Sequence, residues 1–147
     1  MAERNFDLEQ AEKLLPQLER WLQTVTQTKK KIVEIEEERA TLSERISRTG
    51  GQLIDIAYYR RRNEEQERQK AELLGAAQAI EDSGCLLKDL SLGLVDFPCE
   101  LEGQEFYLCW KLGETRIEFW HNTHEGFAGR KPIDPQMIER LNKSRPV

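Results

Sequence analysis

The chain contains 147 residues, enough for one domain or at most two. Charged residues make up 33% of it and hydrophobic residues 38%, and no stretch approaches the roughly 18 consecutive apolar residues of a membrane span. The net charge of −5 argues against general affinity for nucleic acid or anionic membranes, and the lack of a basic segment followed by an apolar one argues against secretion. We therefore expect a soluble, cytoplasmic protein.

The composition changes near residue 83. Residues 1–83 hold 31 of the 49 charged residues and neither Cys nor His, whereas residues 84–147 hold seven of the eleven aromatic residues, all three Cys and both His. This contrast predicts an α+β fold. Residues 1–83 are expected to form a long antiparallel helical hairpin. Residues 84–147 are expected to form a small three-stranded antiparallel β-meander with a short C-terminal helix, packed as one domain with the hairpin.

The first helix is predicted from residue 8 to about residue 48. Asp7 suits the N-cap, and Gln10 suits its partner in a capping box. Mostly apolar residues recur along one face at seven-residue intervals from residue 11 to residue 46. Pro16 is expected to kink this helix or mark a restart, because proline removes a backbone hydrogen bond and its ring clashes with the preceding turn.

The second helix is predicted over residues 53–82, after a turn at Gly50 and Gly51. Its middle, residues 60–70, contains no apolar residue. The first helix would be about 60 Å long, and the residues after 83 are too few to cover its apolar face. Leftover apolar surface favours pairing between copies of a chain, so we expect a homo-oligomer, and a dimer in particular.

Two basic runs, residues 29–31 and 60–62, invite a nucleic-acid interpretation. Folding the chain at Gly50 and Gly51 instead places residues 60–62 near the acidic residues 36–38. Alternating charge of this kind is typical of solvated helix faces. We therefore expect ion pairs between the helices, and a nucleic-acid partner stays the least favoured of the functional hypotheses.

Three strands are predicted, at residues 92–101, 104–112 and 115–121, joined by two-residue turns that each contain a glycine. The first turn pairs Leu101 with Gln104 and therefore Phe97 with Leu108. The second turn, at residues 113–114, would pair Leu108 with Phe119. One face of the sheet is then apolar and is expected to pack on the hairpin, because a slip by one residue would place Glu118 in the core.

The opposite face of this predicted sheet carries Asp96, Cys109 and Glu118 in one cross-strand row, beside the aromatic residues Tyr107 and Trp120. An acidic pair flanking a thiol next to aromatic side chains is typical of a ligand-binding surface. The alternative is that the aromatic residues pack beneath the loop at residue 126 or the C-terminal segment.

The segment WHNTHEGFAGR, residues 120–130, follows the last predicted strand. Four interpretations remain open. One is a metal site that uses His121, His124 and Glu125, with Asp96 or Cys109; a second is an anion site at Gly126, Gly129 and Arg130. A third is acid–base catalysis by His121 with Asp96 or Glu118. The fourth is a glycine-rich turn without chemistry, with His121 on the inner face of the sheet.

A last short helix is predicted over residues 135–142, with Asp134 as its N-cap and Pro135 in its first turn. The three cysteines include no CxxC pair. The predicted register points Cys99 and Cys109 to opposite faces, so they are expected to stay reduced.

Four motifs span nearly the whole chain: FDLEQAEKLLPQL, GLVDFP, FYLCWKLGE and FWHNTHEGFAGRKPI. Together they resemble the bacterial family catalogued as domain of unknown function 2203. The resemblance implies a long helical hairpin followed by a small sheet, and brings no established activity, substrate or cofactor. His124 departs from the family pattern, which more often has an acidic residue there. The matching positions are Asp96, Phe97, Pro98, Cys109, Trp110, Glu114, Trp120, His121, Gly126, Phe127, Gly129 and Arg130.

Two hypotheses follow from the sequence. The first is a non-enzymatic protein that self-associates through its hairpin, as an interaction or scaffold protein with a ligand surface on its β-module. The alternative is a metal- or anion-binding protein, with enzymatic activity left open, that uses the region of Asp96, Cys109, His121 and Arg130. Glu118 and Trp120 complete the candidate ligand-binding residues.

Overall fold

The computed structural model describes residues 5–50 and 55–143, with side chains up to residue 141. It confirms the α+β fold. Helix α1 spans Leu8–Thr49 and helix α2 spans Ile56–Asp82. Strands β1 to β5 span Leu86–Asp89, Leu94–Leu101, Gln104–Lys111, Phe119–Asn122 and Lys131–Pro132, and helix α3 spans Pro135–Lys143. No helix among these described residues is long and apolar enough to cross a membrane.

The chain divides into two compact units, one of Met1–Leu22 with Ala77–Val147 and one of Gln23–Ala76. The first contains the start of α1, the end of α2, the sheet and α3. The second contains the rest of the two helices. The boundary of the sequence-based domains at residue 83 remains a prediction.

Helix α1 starts as the sequence predicts. The backbone N–H of Gln10 donates to Asp7 Oδ1 at 2.7 Å, and the N–H of Asp7 donates to Gln10 Oε1 at 3.2 Å. This reciprocal pair satisfies backbone donors that the first helical turn leaves without partners. The helix continues through Pro16, so the restart allowed for at that residue does not occur. At the other end, Gly50 has a φ of +72°, which suits the predicted C-terminal cap, while Gly51 and the predicted helix start at residue 53 lie outside the described residues.

Polar side chains form a layer between the helices of the second unit. Gln66 and Gln69 of α2 are buried, although they lie in the segment without apolar residues. Gln66 Nε2 donates to the Ile32 carbonyl at 3.4 Å, and Arg39 donates to Gln66 Oε1 at 2.8 Å and to Asn63 Oδ1. The predicted ion pairing between the helices is also present, as Arg62 Nε lies 3.0 Å from Glu38 Oε2.

The sheet is fully antiparallel, with its strands in sequential order. The register between β2 and β3 is as predicted, with Leu101 opposite Gln104 and Phe97 opposite Leu108. Strands β1 and β5 were not predicted, because they have only four and two residues. One sheet face packs in the core of the first unit, whose fully buried side chains include Leu18, Ile80, Val95, Phe97, Leu108, Trp110 and Leu141.

The predicted register of the third strand is wrong by one residue. The predicted turn at Gly113 forms, and the N–H of Glu114 donates to the Lys111 carbonyl. The indole N–H of Trp110 donates to the Glu114 carbonyl at 2.8 Å. The chain does not return directly into a strand, and β4 begins only at Phe119, which lies opposite Cys109. Side chains from residue 119 onward therefore face the opposite way from the prediction.

The observed register does not place Glu118 in the core, which was the cost that argued against a shift of one residue. Glu118 precedes β4 and is exposed, and its carbonyl accepts a hydrogen bond from the Ile133 N–H at 2.9 Å. Ile117 reaches the core from outside the sheet. Trp120 lies opposite Leu108 and packs against the core, and His121 points to the other face.

Candidate metal centre

Three side chains with metal-ligating atoms converge on the outer face of the sheet. Asp96 of β2 lies directly opposite Cys109 of β3, and His121 of β4 lies opposite Tyr107, two residues along from Cys109. Side chains on the same face of neighbouring strands lie close enough to interact. A carboxylate oxygen, the thiol sulfur and an imidazole nitrogen all lie within 4.8 Å of one another. The residues are 2%, 1% and 2% exposed in that order, so the cluster is shielded from water.

Both ring nitrogens of His121 face hydrogen-bond acceptors. Nδ1 lies 2.8 Å from the Asn122 carbonyl, and Nε2 lies 3.0 Å from Asp96 Oδ1. Because a carbonyl only accepts, Nδ1 must carry a hydrogen. Nε2, the other ring nitrogen, faces Asp96 and the cluster. A backbone carbonyl that fixes one ring nitrogen in this way is a usual partner of a metal-binding histidine.

Cys109 is a protonated thiol at neutral pH. Burial raises its pKa to about 11, and the neighbouring Asp96 charge adds to this effect. The positive charge of the nearby Arg130 guanidinium acts in the opposite direction. A bound dication would reverse the balance, because coordination deprotonates a thiol outright.

Arg130 is held from three sides. Its two terminal nitrogens donate to the two carboxylate oxygens of Glu114, at 3.2 and 3.0 Å. Its guanidinium carbon lies 3.9 Å from the ring centre of Phe119 and 4.3 Å from that of Phe127. A paired fork with aromatic contacts is the geometry that favours arginine over lysine.

The family model described as "Uncharacterized conserved protein (DUF2203)" matches residues 4–133. The chain belongs to this family. The match covers the three converging side chains as well as Glu114 and Arg130. No curated protein and no solved structure matches the chain.

Two candidate residues of this DUF2203 protein lie away from the cluster. Glu118 precedes β4 and is not in a row with Asp96 and Cys109, where Phe119 lies instead. Trp120 is on the core face, with its ring 6.0 Å from that of Phe106. Both differences follow from the one-residue correction of the β4 register. The same correction moves His121 from the predicted inner face to the Asp96 face.

The candidate trio of His121, His124 and Glu125 is not brought together. His124 is exposed in the turn after β4. Glu125 Oε1 accepts hydrogen bonds from the backbone N–H of Asn122 at 3.0 Å and from Lys131 Nζ at 2.6 Å. Within residues 5–50 and 55–141, Asp96, Cys109 and His121 form the one group of three or more potential ligands.

The glycines proposed for anion binding form the turn that carries Arg130. The N–H of Gly129 donates to the Gly126 carbonyl at 3.0 Å, and the N–H of Arg130 donates to the Phe127 carbonyl at 3.2 Å. A Cβ at position 129 would lie 3.0 Å from Glu125 Oε2, so a larger residue would crowd this turn. These two N–H groups and the face of Arg130 toward Glu114 are therefore engaged within the protein.

Sequence reasoning missed Glu114 as the partner of Arg130 and Asn122 as the acceptor for His121. Glu114 was among the positions that match the family motifs, and this signal could have placed it in the site. The Asn122 contact is made by a backbone carbonyl, which no pattern of residue types can reveal.

Proposed function

We propose that this protein binds a divalent metal ion through Asp96, Cys109 and His121, in the reducing cytoplasm. The observation that carries the proposal is the convergence of three ligand atoms, one of them on a histidine whose Nδ1–H is fixed by a backbone carbonyl. Metal-binding histidines are oriented in this way. The geometry thus favours the metal-binding hypothesis over a general ligand surface.

The ligand set indicates the class of metal. One sulfur, one nitrogen and one carboxylate oxygen suit a borderline dication such as Zn²⁺ or Co²⁺, while Mg²⁺ and Ca²⁺ prefer oxygen ligands alone. Ligands around a tetrahedral Zn²⁺ lie about 3.5 Å apart, given bond lengths of about 2.0–2.3 Å. In the cluster, His121 Nε2 lies 3.0 Å from Asp96 Oδ1, and no two ligand atoms are more than 4.8 Å apart. Three protein ligands leave a fourth position for water.

Charge balance supports the proposal. A dication, the Asp96 carboxylate and the Cys109 thiolate sum to zero, and the Glu114–Arg130 pair adds no net charge. The bound site would therefore carry no net charge, which avoids the cost of burying an uncompensated ion.

Titration with Co²⁺ tests the proposal, because a thiolate bound to Co²⁺ gives a charge-transfer absorption in the near ultraviolet. We expect one Co²⁺ per chain with this band, displaced by Zn²⁺. His121→Ala and Cys109→Ala should abolish stoichiometric binding. His124→Ala, at the exposed histidine, and Cys99→Ala, at a buried thiol on the other sheet face, are matched controls that should bind normally. Wild-type protein without the band, or equal losses in the two histidine variants, would contradict the proposal.

We propose, second, that the unit of Gln23–Ala76 mediates self-association. Much of the apolar face expected to be uncovered is buried in the single chain, including Val25, Ile32 and Ile35. The surface that supports the proposal is smaller: Ile56 is 64% exposed and Leu74 is 70% exposed. We expect light scattering at micromolar concentration to report a dimer that Leu74→Glu dissociates. A wild-type monomer would contradict this expectation.

A further inference from the structure

We infer that a groove beside α3 binds a small organic cation, an amine with an apolar or aromatic body. The groove lies between the end of the β2–β3 hairpin and α3, within the unit that contains the sheet, and its volume is about 390 Å³. Sites for small molecules typically have volumes of about 300–1,000 Å³. The inference does not depend on the proposed metal site, whose ligands lie on the other face of the sheet.

Apolar and aromatic side chains form the floor of the groove. Leu141 of α3 is buried in the core, and Met137, four residues earlier on the same face of the helix, lines the groove. The rings of Phe106 and Trp120 also line it, with their centres 6.0 Å apart and their planes at 84°. Aromatic rings attract organic cations as well as apolar groups, so this floor suits the body of an amine and the region next to its charge.

Charged side chains form the rim of the groove, and most of them are acidic. Glu102, Glu105 and Asp134 bring three carboxylates, whereas Arg140 is the one cationic side chain among the described residues that line the groove. Arg140 Nη2 lies 2.6 Å from Glu102 Oε2, so these two charges offset each other. Glu105 and Asp134 then leave the rim with a net charge of −2.

A lysine next to the groove does not cancel this charge. Lys131 Nζ lies 4.8 Å from the centre of the Trp120 ring, but it is paired with Glu125 Oε1 at 2.6 Å. An amine in the groove would therefore meet an aromatic surface for its body and two carboxylates in excess for its charge. A carboxylic acid of the same shape would be repelled by the same rim.

Two probes with the same aromatic body and opposite charges test the inference. At pH 7, 2-phenylethylamine carries an ammonium group and 3-phenylpropionate carries a carboxylate. Calorimetric titration of the full chain at low salt measures the affinity for each probe. We expect the amine to bind one site per chain with a Kd of about 1 mM or below, in line with ligands of this size, and the acid not to bind. An amine without saturable binding, or equal affinities for the two probes, would overturn the inference.

Variants of the rim test whether the amine binds in the groove. Glu105→Gln and Asp134→Asn each remove one negative charge, and asparagine can still cap α3 through the Met137 N–H, which Asp134 Oδ1 accepts at 2.7 Å. Each variant should weaken amine binding by about 1.5- to 5-fold, the effect of one exposed ion pair, and the double variant by about tenfold. Glu118→Gln is the matched control, because Glu118 is an exposed carboxylate of the same unit outside the groove. An amine that binds the double variant as tightly as wild type would contradict the inference.

Tryptophan fluorescence gives a second measurement. We expect the amine to change the emission of wild-type protein, and this change should be lost in Trp120→Phe and kept in Trp21→Phe, whose substitution lies on α1. A change that persists in Trp120→Phe would mean that the amine binds elsewhere. Thermal unfolding verifies that each variant is folded, and the rim variants decide the outcome if Trp120→Phe is not, since they leave the core unchanged.

Discussion

The side chain of His121 contacts Asp96, the Asn122 backbone and Tyr107. It lies between two acceptors, its ring is 5.5 Å from that of Tyr107, and it is 2% exposed. A metal ion bound at Nε2 would replace the hydrogen bond to Asp96, while the Nδ1 hydrogen bond to the Asn122 carbonyl would remain. The local geometry therefore keeps the ring in place whether or not an ion is bound.

We predict that binding of one Zn²⁺ at pH 7 releases at least one proton, that of Cys109. The pKa of about 11 keeps this thiol protonated before binding, and coordination removes its proton. Calorimetry in buffers that differ in ionisation enthalpy measures this number. Cys109→Ser should release about one proton fewer for any metal that it still binds. Release of no protons by the wild-type protein would mean that the ion binds elsewhere.

At the scale of elements, the sequence predicts what alternation and spacing encode. The helices, the capping box and the β2–β3 register were predictable because periodicity and a two-residue turn specify them. The register of β4 was not, because a bend at residues 115–116 and hydrogen bonds of Trp110 and Glu114 delay the strand. Asp96, Cys109, His121 and Arg130 were named from the sequence, but their grouping depends on that register.

Glu125 links β4 to the segment that follows it through hydrogen bonds with Asn122 and Lys131. Protonation of its carboxylate at low pH should therefore lower the stability of the folded protein. Its hydrogen bond from Lys131, followed by that from the Asn122 backbone, lowers its pKa to about 2. A lowered pKa in the folded state stabilises the protein above the ordinary value near 4.5, and this contribution is lost as the pH falls toward 2. We predict that the urea midpoint falls less between pH 5 and pH 2 in Glu125→Gln than in wild type. Glu105→Gln, at an exposed carboxylate on β3, should leave the wild-type pH dependence in place.

At the scale of the whole molecule, the candidate metal ligands and the long helical stretches rich in charged residues lie in different parts of the chain. The three converging ligands, Glu114 and Arg130 all belong to the unit that contains the sheet. The other unit, Gln23–Ala76, consists of two long helical stretches with ion pairs on their surfaces. Composition alone predicted this separation. It did not predict that the helices would bury polar residues, because single glutamines give no periodic signal.

The layer of polar side chains between the two helices of that second unit, which includes the buried Gln66 and Gln69, constrains how these helices align. A slide of α2 by one helical turn, about 5.4 Å, would bring other polar residues of the same segment into the seam. It would also separate Gln66 from the Ile32 carbonyl and Arg39 from both of its amide partners. Each buried polar group left without a partner costs about 1–3 kcal/mol. The layer therefore specifies the alignment of α1 and α2. A seam of uniform apolar side chains would tolerate several offsets between the two helices, whereas this seam favours the one offset that keeps its hydrogen bonds.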